Sequence, residues 1–94
     1  PPAVFSMRQN YPNPFNPVTT ITYSLERPAH TEIHLYNIRG QRVRTLLAGM
    51  AGEGVHQVSW DSRDDNGRIC PAGVYIALMV SGERRESIKL LLLR

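Results

Sequence analysis

Short runs of alternating apolar and polar side chains recur along the chain, with turn-forming residues between them. The stretch Glu32–Ile38 shows the pattern. Ile33 and Leu35 fall on one side and Glu32, His34 and Tyr36 on the other, the two-residue period of a half-buried strand. Read this way, the chain predicts strands over Phe5–Gln9, Thr20–Leu25, Glu32–Ile38, Arg42–Leu47, Val55–Trp60, Val74–Val80 and Glu86–Leu92. In the sixth, Ile76, Leu78 and Val80 alternate with Ala77 and Met79, which predicts little solvent on either face. Only Arg42–Leu47 also fits a short helical turn.

The breaks carry turn chemistry. Asn37-Ile38-Arg39-Gly40 predicts a tight turn with Gly40 at positive φ. Ala48–Gly54 holds three glycines and reads as a flexible loop, Pro28–Thr31 as a turn, and Ser81-Gly82-Glu83 as a short hairpin. Asp64-Asp65-Asn66-Gly67 contains the Asn-Gly pair of a hairpin turn. About seven short strands at this spacing predict an all-β fold, an immunoglobulin-like antiparallel β-sandwich. Trp60 is the expected centre of its core, with Tyr36, Tyr75, Ile33 and Leu78 around it.

One segment resists this scheme. In Asn10-Tyr11-Pro12-Asn13-Pro14-Phe15-Asn16-Pro17 the prolines fix φ and remove backbone donors, so the octet cannot be an inner strand. Tyr11, Asn13 and Asn16 each precede a proline and are pushed toward extended geometry. The expectation is a stiff linker over residues 1–17, anchored by Tyr11 and Phe15, ahead of a domain over residues 18–94. The chain opens on Pro1-Pro2 without a methionine, which suggests a piece of a longer polypeptide.

Composition narrows the function classes. Ninety-four residues make one domain, and 41% apolar with 20% charged residues is ordinary for a globular fold. No apolar run reaches the length of a membrane helix, and no secretory leader opens the chain. The net charge is +3, but the basic residues are scattered, and the cluster Arg39, Arg42 and Arg44 splits across two strand faces. Nucleic acid is therefore not expected as a partner. The single cysteine, Cys70, forms no internal disulfide; it is a small loop residue or a free thiol able to dimerise the isolated chain.

Candidate chemistry is sparse. Asp61, Asp64, Asp65 and Asn66 could offer oxygen ligands to calcium, yet their spacing is not that of a calcium loop and a hairpin turn wants the same residues. His30, His34 and His56 lie apart and read as structural or surface residues. No nucleophile–base arrangement, carboxylate pair or phosphate loop is visible, so neither catalysis nor a cofactor is expected. The run Leu90-Leu91-Leu92-Leu93 has two readings: a last core strand covered on both faces, or a strand displayed to another protein.

A family resemblance favours display. Asn10–Pro17, Thr19-Thr20-Ile21, Ile33-His34-Leu35-Tyr36-Asn37 and Gly40-Gln41-Arg42-Val43 follow one another as in the C-terminal (type A) sorting domains of the type IX secretion system of Bacteroidetes. Gly54-Val55-His56, Val58-Ser59-Trp60-Asp61, Ala72-Gly73-Val74-Tyr75 and the terminus Lys89–Arg94 continue the order. The stretch Trp60–Arg68 leading into Pro71–Tyr75 also resembles the immunoglobulin-like domain of the flagellar hook-capping protein. The octet and the basic terminus favour the sorting family.

That resemblance implies a non-catalytic, monomeric domain on an exported cargo protein, in transit through the periplasm and then extracellular or on the cell surface. Its implied partners are the upstream cargo domain, an outer-membrane translocon and a sortase-like peptidase that cuts near or before Pro1. The implied recognition signal is Gly73, Tyr75, Lys89, Leu90, Leu91, Leu92, Leu93 and Arg94. The terminal edge strand would offer backbone groups and charge to the receptor. The alternatives are an immunoglobulin-like structural or adhesive module packing against a neighbouring enzyme domain, and, further off, a carbohydrate-binding module.

Overall fold

The computed structural model describes residues 4–94; the cut expected near or before Pro1 lies outside them. Seven strands form: β1 (Ser6–Met7), β2 (Thr19–Leu25), β3 (Ala29–Asn37), β4 (Arg42–Ala51), β5 (Gly54–Trp60), β6 (Gly73–Ser81) and β7 (Arg84–Leu92). They make two antiparallel sheets, one in the order β1-β2-β5 and one in the order β4-β3-β6-β7. The fold is thus an all-β immunoglobulin-like sandwich with β7 at one edge of the larger sheet.

Between the sheets lie Ile21, Leu25, Ile33, Leu35, Trp60 and Met79, all fully buried. Alternation puts them there: β6 turns Tyr75, Ala77 and Met79 inward and leaves Val74, Ile76 and Leu78 half-buried on the outer face. Trp60 is central, but its aromatic neighbours are Phe15 (centroids 5.7 Å apart) and Tyr75 (5.2 Å). Tyr36 and Leu78, expected in the core, are half-buried on the outer face, because their parity along β3 and β6 points them away from the facing sheet.

Two turns share one design. In Asn37–Gln41 the Gly40 N–H donates to the Asn37 carbonyl (2.9 Å), the Asn37 N–H donates to the Gln41 carbonyl (3.0 Å), and Gly40 has φ +79°. Asp64–Arg68 repeats this with Gly67 at φ +81°. Both are three-residue hairpin loops closed by a glycine in the left-handed region. In each, the first side chain accepts two further backbone N–H groups.

Several boundaries differ from expectation. Ala48–Gly54 is not a loop: β4 runs to Ala51 against Ala29–Glu32 and only Gly52-Glu53 connects to β5, since strand pairing overrides the glycines. The same pairing draws His30 out of its expected turn and into β3. Arg42–Leu47 is strand, and Phe5–Gln9 shrinks to a two-residue β1 paired with β2.

Candidate recognition surface on the terminal strand

The octet expected to lead into the domain is built into it. Phe15 is buried at 2% exposure against Trp60, while Tyr11 is 82% exposed and anchors nothing through its ring. Tyr11 is held by its backbone, which exchanges hydrogen bonds with Thr20 at 2.9 and 3.0 Å. Within the octet, Asn10 donates to the Pro12 carbonyl (3.2 Å) and to Thr19 Oγ1 (3.0 Å), closing a turn that prolines cannot close with their own nitrogens. At its far end the Ser62 hydroxyl donates to the Pro17 carbonyl. The Tyr11-Pro12, Asn13-Pro14 and Asn16-Pro17 peptide bonds are cis.

The octet also lies along the outer edge of β7. The Phe15 N–H donates to the Leu91 carbonyl (3.0 Å), and the Leu93 N–H donates to the Phe15 carbonyl (2.9 Å), a short parallel bridge. Asn13 Oδ1 accepts the Leu91 N–H at 3.0 Å, and Gln9 Nε2 donates to the Lys89 carbonyl at 2.6 Å. These groups face away from β6, so they would otherwise be an open sheet edge. The backbone offered to a receptor at Leu91–Leu93 is therefore already used. That corrects the expectation of a free terminal edge.

The alternation of β7 sorts the expected signal residues. Leu90 and Leu92 are fully buried opposite Tyr75 and Gly73, whereas Leu91 and Leu93 are 36% and 48% exposed on the other side with Lys89. The four-leucine run is thus not covered on both faces. A terminal edge strand of a two-layer sandwich has a sheet behind it on one side only. Tyr75 is likewise internal. Its hydroxyl donates to the Pro71 carbonyl at 2.6 Å, the tyrosine corner that closes the start of this strand in immunoglobulin-like sandwiches. Burial pushes both its phenol and the Cys70 thiol above their ordinary values.

Arg94 folds back so that its Nη2 donates to the Cys70 carbonyl. Beside it a cleft of 370 Å³ is lined by Ile38, Arg39, Val43, Pro71, Ala72 and Val74, among others. Gly73 also lines this cleft, one strand away from Leu92. Of the expected signal residues, Lys89, Leu91, Leu93 and Arg94 are the ones whose side chains meet solvent.

In the acidic loop, one oxygen of each aspartate serves local geometry. Asp61 Oδ1 accepts the Arg63 N–H and Arg44 Nη1, both at 3.0 Å. Asp64 Oδ1 accepts the Asn66 and Arg68 N–H groups, both at 2.9 Å, and Asp65 Oδ1 accepts the Thr45 N–H at 3.1 Å. Burial raises the Asp61 carboxyl, but the Arg63 N–H and the Arg44 guanidinium outweigh it and hold the group below its ordinary value. Asn66 is exposed and contributes its N–H to the turn. Among the described residues, no three of His, Cys, Asp or Glu converge as metal ligands, and no helix is long and apolar enough to cross a membrane, which says nothing of a β-barrel.

Gln9 and Asn13 escaped the sequence reading as partners of the terminal strand. Asn13 carried a signal as a polar amide between two prolines, able to supply a hydrogen bond that they lack, whereas nothing local marks Gln9.

The turns and core of this sandwich have counterparts. Residues 16–84 match the FlgD Ig-like domain. The chain belongs to that family. In this FlgD Ig-like domain, most of the octet and nearly all of β7 fall outside the matched residues. Among solved structures it is similar to dimeric latent PorU from Porphyromonas gingivalis, with 18% identity and a TM-score of 0.72 over 99% of this chain and 10% of PorU. It is also similar to PorZ, an essential bacterial surface component of the type-IX secretion system of Porphyromonas gingivalis. There the identity is 18% and the TM-score 0.60, over 90% of this chain and 11% of PorZ. At that identity the likeness is one of fold, and the chain spans about a tenth of either protein. No curated protein matches the sequence.

Proposed function

We propose that this domain is a non-catalytic C-terminal sorting module of the type IX kind. It directs a cargo domain ahead of it through the outer membrane for surface attachment or release. The observation that carries the reading is the terminal strand, which leaves Leu91 and Leu93 exposed beside Lys89 while Leu90 and Leu92 complete the core. Neighbouring apolar side chains on one exposed face, rimmed by a charge, are the kind of patch that a protein partner can read. The ordered motifs from Asn10 to Arg94 support the reading, as does a fold shared with PorZ, itself a surface component of such a system. In this scheme the outer-membrane translocon reads the terminal strand and a sortase-like peptidase removes the domain. The cargo passes through the periplasm to the cell surface or medium.

A second reading is an immunoglobulin-like structural or adhesive module on a neighbouring domain. It is favoured by the family match, which covers β2 to β6 and stops at Arg84, before the exposed residues of β7. The two part on one experiment: a fluorescent reporter carrying a signal peptide and followed by residues 1–94, in a type IX host with and without its translocon. Translocon-dependent appearance of the reporter outside the cell is expected. Periplasmic retention in both strains, with the domain folded, would instead leave a structural module.

A further inference from the structure

Resting on the sorting reading and extending it, we infer that the recognised element is bipartite: the octet clips Lys89–Leu93 in place, and the receptor reads the side chains so displayed. Every outward backbone group at Leu91, the carbonyl of Lys89 and the N–H of Leu93 is taken by Gln9, Asn13 or Phe15. Strand addition at these positions is pre-empted. What is left to read is Leu91 and Leu93 on one face, with Lys89 and Arg85 on the same parity of β7. Neither cation forms an ion pair with a described residue, unlike Arg44 and Arg84. The fitting partner is a folded protein with an apolar groove for the two leucines and carboxylates for the two cations. An anionic lipid surface fits less well, because it needs a broad basic face or a larger apolar wedge.

Asn13 and Phe15 are then positioning residues, and Asn13 gives the cleaner test because its side chain is exposed. Asn13→Ala leaves the Leu91 N–H without an acceptor, whereas Asn13→Asp retains one. In the reporter assay with residues 1–94, Asn13→Ala is expected to lower the exported fraction about tenfold, and Asn13→Asp to restore it. Gln9→Leu, which removes the second clip, should act in the same direction. Hydrogen exchange on purified residues 1–94 should show protection lost at the Leu91 amide in Asn13→Ala and retained at Ile33. A reporter ending in Arg84–Arg94 alone should stay in the periplasm.

Export of that short tail as efficient as that of the whole chain would overturn the inference. So would normal export of Asn13→Ala with its Leu91 amide deprotected, or failure of Asn13→Asp to restore export. Binding of residues 1–94 to phosphatidylglycerol vesicles that Asn13→Ala leaves unchanged, with Lys89→Glu abolishing both it and export, would assign the surface to lipid instead. Retention of the unaltered chain would remove the sorting reading itself, an outcome distinct from all of these.

Discussion

Phe15 joins two parts of the molecule that lie far apart in sequence: its ring packs on Trp60 and its backbone pairs with Leu91 and Leu93. Truncation to alanine empties a fully enclosed aromatic site and is expected to cost about 3–5 kcal/mol, read by urea unfolding of residues 1–94. Two paired carboxylates should contribute to the acid limb of stability. Glu32 is held below its ordinary value of 4.5, first by the His34 hydrogen bond at 2.7 Å and then by His30. Glu26 is held below it chiefly by Arg84. A carboxylate with a lowered folded value stabilises the fold above its unfolded value, and that contribution disappears as pH falls through the folded one. The melting temperature should therefore drop as pH falls from about 4.5, more gently in Glu32→Gln and Glu26→Gln. The Cys70 thiol, 4% exposed and raised by burial, should react with a thiol reagent only on unfolding.

The matched turns at Asn37–Gln41 and Asp64–Arg68 show how an element is specified. A Cβ on Gly40 or Gly67 would meet no atom within 4 Å, so substitution is opposed by conformation and not by crowding. Gly40→Ala and Gly67→Ala should each cost about 1–2 kcal/mol. Asn in either place should cost less, since it tolerates the left-handed region, as denaturation midpoints would show. Both turns were legible in the sequence because Asn or Asp followed three residues later by Gly is local chemistry. The β3–β4 pairing was not legible: Ala48–Ala51 looks like a loop until Ala29–Glu32 lies beside it. Turn residues act through their own backbone, while strand ends depend on a partner that local sequence does not name.

For the molecule as a whole, the parity of β7 divides stability from recognition. Leu90→Ala or Leu92→Ala should cost about 2–5 kcal/mol and lower export through unfolding. Leu91→Glu with Leu93→Glu, on the exposed side, should stay within about 0.5 kcal/mol per site by urea denaturation. If the sorting proposal holds, the same pair abolishes export of a folded domain. Unimpaired export of the pair would remove Leu91 and Leu93 from the signal.

Alternation, turn residues and proline placement are local properties, so the chain by itself determined the number of strands, the sandwich and the buried Trp60. The anchoring of Phe15 was equally readable, whereas that of Tyr11 was not, since its ring lies in solvent. Tertiary structure alone decided where the octet lies, because a hydrogen bond between Asn13 and Leu91 spans most of the chain and no periodicity encodes it. It also decided that Tyr75 serves as a corner, and that of four consecutive leucines two face the core and two face solvent. A run of identical residues carries no parity. Which side is inside is settled only when β7 takes its register against Gly73–Ser81 and a second sheet lies behind it.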